Sequence, residues 1–367
     1  MAQERAHVLV CLRNDSRAGS AGDAAAAGVV RTSPTTVRLE HSDMSPGVAS
    51  ISFEQVFDFD QQQQSTRDVF HESQLATSVR RVVLDGRHVT VVAAGAARAG
   101  KSSCMRGSNG VGVMPLAIAH VFESAKDVSD NNAPETHVLM SCLFARDDRL
   151  VDAFTRHELD ATAAAPLNDE ALIAHSVSVQ NAAEAHRCFQ EALDVMNDAD
   201  GTRDGHLLIA LFVERRRNES DEIQRGRLVV IDVHGSAIIE PVRQTASLTG
   251  APSLFHDTHI PVHATLSSAV GHLLGNECST FFIVVIQKAA QRQQQAIQSL
   301  LYACKAKDIK SSLPSEATII NSFTQRPILS EISRIPTVKS IDATLQSPTS
   351  PVYVLRTSLF LAPGSWI

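Results

Sequence analysis

No C-x-x-C pair occurs among the six cysteines, Cys11, Cys104, Cys142, Cys188, Cys278 and Cys304. Scattered in this way, they read as reduced, buried thiols of a cytosolic protein. Positive charge is not in excess either. A net charge of −7 over 367 residues removes the global basic footprint that nucleic acid or an anionic membrane demands, and leaves room only for a local basic face. No apolar run approaches membrane-spanning length, and the N-terminal M-A-Q-E-R-A-H lacks the apolar core of a secretory signal. Heptads are not sustained anywhere, so no coiled-coil dimerisation is expected. These absences point to a soluble, intracellular chain. Its 44% hydrophobic content suffices for the core of one large domain or two small ones.

Against that background one stretch carries chemistry. Val89-Thr-Val-Val-Ala-Ala-Gly95-Ala-Ala-Arg-Ala-Gly100-Lys101-Ser102 runs from β-branched and small apolar residues straight into G-x-x-x-x-G-K-S. A strand, a loop and a helix in that order make a phosphate-binding loop. The amides of Gly95, Ala96, Ala97, Arg98, Ala99, Gly100, Lys101, Ser102 and Ser103 would wrap phosphates, with the Lys101 ammonium as a point charge on them. The Ser102 hydroxyl is the expected Mg²⁺ ligand. Lys101 has a blander alternative, as a relic that caps or salt-bridges within the pocket. Arg98 either points outward or folds over the pocket as a substitute cation.

Strands and helices alternate along most of the chain. His7–Leu12, His137–Ala145, Leu207–Val213, Leu228–Val233 and Phe281–Ile286 read as buried strands, with an edge hairpin near Thr36–Glu40. A turn is expected at Gln61–Gln64 and a hairpin tip at Asn218–Asp221. Apolar positions at Val69, Phe70, Leu75, Val79, Val82 and Val83 predict one amphipathic helix over residues 66–85. Further helices are expected after the phosphate loop, near Met114–Phe122, over Asn181–Met196 and over Ala289–Lys307. Ala153–Asp169 reads as an irregular insertion. The class is α/β, with helices on both faces of one sheet. Residues 1–310 make one domain, and the Pro-, Ser- and Thr-rich stretch 311–367 makes a C-terminal extension.

Several segments, in order, resemble the kinesin motor domain. Ser52-Phe-Glu-Gln-Val-Phe57 is similar to F-x-F-D-x-V-F, and Asp68-Val-Phe70 to the start of the helix that follows it. Val83-Leu-Asp-Gly86 is similar to V-L-x-G-Y-N. Ala94–Gly107 stands where the family has Y-G-Q-T-G-S-G-K-T-x-T-M-x-G. Gly112-Val-Met-Pro-Leu-Ala117 is similar to G-I-I-P-R-A, and Leu228–Ser236 to the L-x-L-V-D-L-A-G-S-E of switch II. Gly275-Asn276 and Phe281–Ile286 resemble the closing strand, and Ser299–Lys310 the last helix. The resemblance spans residues 7–310. It implies a P-loop NTPase fold of the kinesin-motor type with a central mixed sheet, and ATP or ADP with Mg²⁺ as cofactor. It implies Arg13 on the adenine side, Asp232 holding Mg²⁺ through water, and the Gly235 amide facing a γ-phosphate. Implied partners are tubulin, as microtubules, and other microtubule-associated proteins, in the cytoplasm and cytoskeleton.

Departures from the family pattern weigh against turnover. Asp15 and Ser16 replace the second Arg and the Pro of R-x-R-P. Switch I falls on Ala199–His206, where only His206 survives, and Ala237 takes the place of the switch II glutamate. Only residues 238–259 lie between switch II and Ile260-Pro261, where motors carry a longer stretch with their main tubulin-contact helix. His263 and Ala264 replace the Arg and Asp of the next segment. Phosphoryl transfer needs groups that position water and close the site, so hydrolysis is expected to be negligible or very slow. The expected role is a structural or adaptor subunit of a stable microtubule assembly such as an axoneme. Two alternatives stay open: a slow ATPase motor using residues such as Thr202 and Arg203, and a nucleotide-gated binding module. His206 reads as a satisfied histidine. Pro261 breaks the helix on which His256, His259 and His263 would ligate a metal. Arg215–Arg217 reads as a solvated hairpin rather than a face for acidic tubulin.

Overall fold

Cys278–Gln287 is buried along its whole length, which a strand achieves only when both sheet faces are covered. The computed structural model describes residues 3–14, 28–39, 50–60, 64–107, 111–127, 136–146, 149–159, 167–198, 205–216, 223–236, 238, 270–275, 277–289 and 292–312. The strands are β1 (Gln3–Arg5), β2 (His7–Arg13), β3 (Val29–Ser33), β4 (Thr36–Leu39), β5 (Ser50–Ser52), β6 (Gln55–Asp58), β7 (His88–Ala94), β8 (Thr136–Arg146), β9 (Arg149–Asp152), β10 (Glu158–Leu159), β11 (Ser176–Val179), β12 (His206–Arg216), β13 (Ile223–Asp232), β14 (Cys278–Gln287) and β15 (Lys310–Ser312). The helices are α1 (Thr66–Glu72), α2 (Gln74–Asp85), α3 (Lys101–Met105), α4 (Val113–Asp127), α5 (Asp169–Ala174), α6 (Ala182–Asp198) and α7 (Gln293–Ala306).

The main sheet runs β10-β9-β8-β12-β13-β7-β14-β2-β6, with β11 beside β8. Strands β13, β7, β14, β2 and β6 pair in parallel, while β8, β12 and β13 pair antiparallel. The sheet is therefore mixed, as expected. Alternate residues of one strand feed opposite cores. Phe281, Ile283 and Val285 join the core under α1, α2, α3, α4 and α6. Phe282, Val284 and Ile286 join the one under α5 and α7. Helices thus cover both faces. On the first face, α2 rides so close to β13 that a Cβ at Gly226 would collide with the Val82 carbonyl. Gly226 marks that close approach.

Four expectations change. The single helix over 66–85 is two, because Ser73 adopts φ −87°, ψ 174° between α1 and α2. Its hydroxyl donates to the Val69 carbonyl at 2.6 Å and accepts the Leu75 N–H at 3.2 Å, closing one helix while capping the next. The insertion over 153–169 is partly ordered, since β10 pairs with β9 and Asn168 caps α5. The hairpin near Thr36 is a three-stranded sheet, β3-β4-β5. The fold also runs past residue 310, because β15 pairs with β1 and the Ser311 hydroxyl donates to the Cys278 carbonyl at 2.6 Å. The hairpin tip, Asp15, Ser16, residues 199–204, Arg217, Ala237, residues 239–269, Asn276 and the extension from 313 lie outside the described residues. Among the described residues, no helix is long and apolar enough to cross a membrane.

Candidate functional site

Strands β7 and β13 pair in parallel through Val92 and Ile231, so the loop leaving β7 and the residues leaving β13 emerge side by side at one sheet edge. Such carboxyl ends are where open α/β sheets bind ligands. Gly95 opens the loop at φ +132°, and a Cβ there would strike the Val285 carbonyl of β14. Only glycine meets both demands. Gly100 is the residue before α3, and Cys104 N–H closes its first turn onto the Gly100 carbonyl at 3.0 Å.

Lys101 begins α3 and is buried at 4% exposure. Its Nζ donates to the carbonyls of Gly95 (3.0 Å), Ala96 (2.8 Å) and Gly235 (2.6 Å). Burial pulls its pKa down to about 8, against the favourable pull of the Asp232 charge. Across the loop mouth, the Ala97 N–H donates to the Ser236 hydroxyl at 2.9 Å. The end of the switch II segment is therefore hydrogen-bonded to the phosphate loop through both Gly235 and Ser236. Ala96, Ala97 and Ser102 are half-buried, Ala99 is buried, and Ser103 is exposed. Arg98 is exposed, with φ +60°, and its carbonyl accepts from Gln287 Nε2 at 2.8 Å.

Arg13 donates from Nη1 to the Gly100 carbonyl at 3.3 Å and stacks over Phe59 at 5.3 Å. It braces the loop from the side on which the resemblance placed the adenine. Nearby, Lys288 is buried between Asp58 (2.9 Å) and Asp60 (3.1 Å), tying β14 to β6. His206 is buried, and its Nδ1 accepts the His234 N–H at 3.0 Å, which agrees with a satisfied histidine. All six cysteines are free.

Mg²⁺ is the ion that the loop pattern implies, through Ser102 and Asp232. Ser102 stands half-buried at the start of α3. Asp232 does not fit that role. It has no exposed surface, and its Oδ2 lies 2.6 Å from Arg106 Nε. The contact is an ion pair without hydrogen-bond alignment, since neither carboxylate oxygen meets a well-directed donor. Arg106 Nη2 also donates to the Gly205 carbonyl at 2.9 Å. Sequence reasoning missed Arg106, which occupies the spacer position of M-x-G. Its only local signal is a charged residue between Met105 and Gly107. A cleft of about 690 Å³, bounded by α4 and α6, includes Arg106, Pro115, His186 and Phe189 in its lining. It contains none of residues 95–102.

The arrangement offers a ground-state phosphate site: a glycine-shaped loop, a helix start and a buried ammonium. Among the described residues, Lys101 Nζ is held by three backbone carbonyls and the Ala97 N–H by the Ser236 hydroxyl.

Comparison with known proteins agrees with this geometry. The sequence profile of the kinesin motor domain matches residues 15–254. The kinesin-like protein KIN-5A of Arabidopsis thaliana is 22% identical over 328 residues, covering 77% of this chain and 31% of that protein. The human kinesin-1 heavy chain is 19% identical over 296 residues, covering 71% of this chain and 29% of that protein. Kinesin-related protein 4 of Dictyostelium discoideum is 23% identical over 305 residues, covering 72% and 15%. The chain thus spans less than a third of the length of these curated relatives. A solved structure of a fast kinesin, described for its ATPase mechanism and interactions with microtubules, superposes with a TM-score of 0.65. It is 19% identical and covers 85% of this chain and 94% of its own. With its mixed sheet, its phosphate loop and a profile match over most of its length, the chain belongs to the kinesin motor domain family.

Proposed function

We propose that this protein is a microtubule-associated, kinesin-like subunit that holds a nucleoside di- or triphosphate on its phosphate loop without productive hydrolysis. It serves as a structural or adaptor part of a microtubule assembly in the cytoskeleton, such as an axoneme. The observation that carries the reading is the buried ammonium of Lys101, set on the loop beside the carbonyls of Gly95, Ala96 and Gly235. A buried ammonium at the start of α3, on a loop shaped by Gly95, suits a site that holds a phosphate. The substitutions in switch I and at Ala237 support the same view, because the groups that close a site and align water contribute mainly in the transition state. Tubulin as partner rests on family membership.

Thermal melting tests the ligand. ADP at a hundredfold over its Kd is expected to stabilise the wild type by about 2.7 kcal/mol, and Lys101→Ala is expected to abolish that shift. No shift in the wild type would leave a pure scaffold. Co-sedimentation with microtubules tests the partner. Equal pelleting in ATP and ADP is expected, and release by ATP would contradict the reading.

A further inference from the structure

Asp232 ends β13, whose neighbouring Ile231 pairs with Val92 of β7 just before the loop, so the carboxylate lies beside the phosphate site. Its charge and that of Lys101 cancel. A phosphate entering such a neutral site needs another cation, which a divalent ion ordinarily supplies. Here a third side chain is already present. Arg106 caps the C-terminus of α3, the helix that Lys101 starts. Its side chain is 9% exposed, and its Nε lies 2.6 Å from Asp232 Oδ2. Together Asp232, Lys101 and Arg106 leave the site one positive charge before any metal enters. The guanidinium is permanently charged, and its Nη2 is held by the Gly205 carbonyl at the entry to β12.

We propose that Arg106 takes the place of the divalent cation: the site binds a nucleoside diphosphate without Mg²⁺, and Arg106 is the positioning residue that makes this so. The inference rests on the nucleotide reading of the loop. Arg106 neutralises the buried carboxylate that would otherwise repel phosphate. It also pairs with one of the two Asp232 carboxylate oxygens, Oδ2. Because the same side chain reaches Gly205, it ties the end of switch I to Asp232 of switch II.

Calorimetric titration with ADP, in excess Mg²⁺ and again in excess EDTA, tests this on the full chain. Wild-type affinity is expected to agree within about twofold between the two buffers, below the tenfold that one pKa unit of interaction would give. Arg106→Met, which keeps the stem and removes the charge, is expected to bind at least about tenfold tighter with Mg²⁺ than with EDTA. Arg106→Lys should behave as the wild type. A purely structural ion pair would lower affinity equally in both buffers, and that result overturns the proposal. So does a wild type that binds tenfold or more tighter with Mg²⁺, a result that needs no variant and leaves nucleotide binding itself intact. Absence of binding in both buffers is a different failure, which removes the nucleotide reading and this inference with it.

Discussion

An ammonium that gives up water for three carbonyl oxygens keeps its proton less firmly, and Lys101 shows the consequence in a pKa near 8. Phosphate binds the charged form. Above pH 8 the free site must first take up a proton, so ADP affinity should fall about tenfold per pH unit, and Lys101→Arg should flatten that slope. Calorimetry between pH 7 and pH 9.5 checks it. His7 titrates in the opposite sense. Burial would lower its pKa, but the carboxylates of Glu4 (3.2 Å) and Glu54 (2.7 Å) hold it up at about 9. A raised folded pKa stabilises fully below pH 6.5 and is lost as pH rises through 9. Chemical denaturation should therefore show the wild type losing about 1–2 kcal/mol across that window, and His7→Gln losing none of it. The phosphate loop was legible in the sequence because its glycines and lysine act locally. Arg106 was not, since its meaning lies in Asp232, a partner brought near only by the pairing of β7 with β13.

Secondary elements follow the same division between local and distant causes. Strands such as β14 and β12 are visible as unbroken apolar runs because both their faces are covered. The break at Ser73 is invisible to periodicity, which continues through it. Only the hydroxyl's bonds to Val69 and Leu75 reveal it. Short pairs such as β1 with β15 carry too few residues to show a pattern, and β11 shows none until it lies on β8. Two substitutions test how the elements are held together. Lys288→Met removes the buried cation beside Asp58, which is 1% exposed, and should cost about 3–5 kcal/mol by urea unfolding. Lys288→Met with Asp58→Asn should recover part of that, because the buried charge is the larger penalty. Gly226→Ala pushes α2 off β13 and should cost about 1–3 kcal/mol. A neutral result there would mean that the helix yields more easily than its backbone contact implies.

A motor domain works as an engine only when its phosphate site, switches and track contact move together. In this molecule the sheet and the loop are kept, and the end of the switch II segment is fastened to the loop through Gly235 and Ser236. Arg106 fastens Asp232 to the end of switch I. Family membership was readable from the ordered motifs because each sits where the fold needs a particular backbone. The sequence departs from the family pattern at the switch serines and at Ala237, and residues 199–204 and 237 lie outside the described residues. Steady-state phosphate release from Mg·ATP by the full chain on polymerised tubulin decides the matter most directly. Release no faster than from tubulin alone is the predicted result. Turnover of about 1 s⁻¹ or more, within the ordinary enzyme range and abolished by Lys101→Ala, would contradict it.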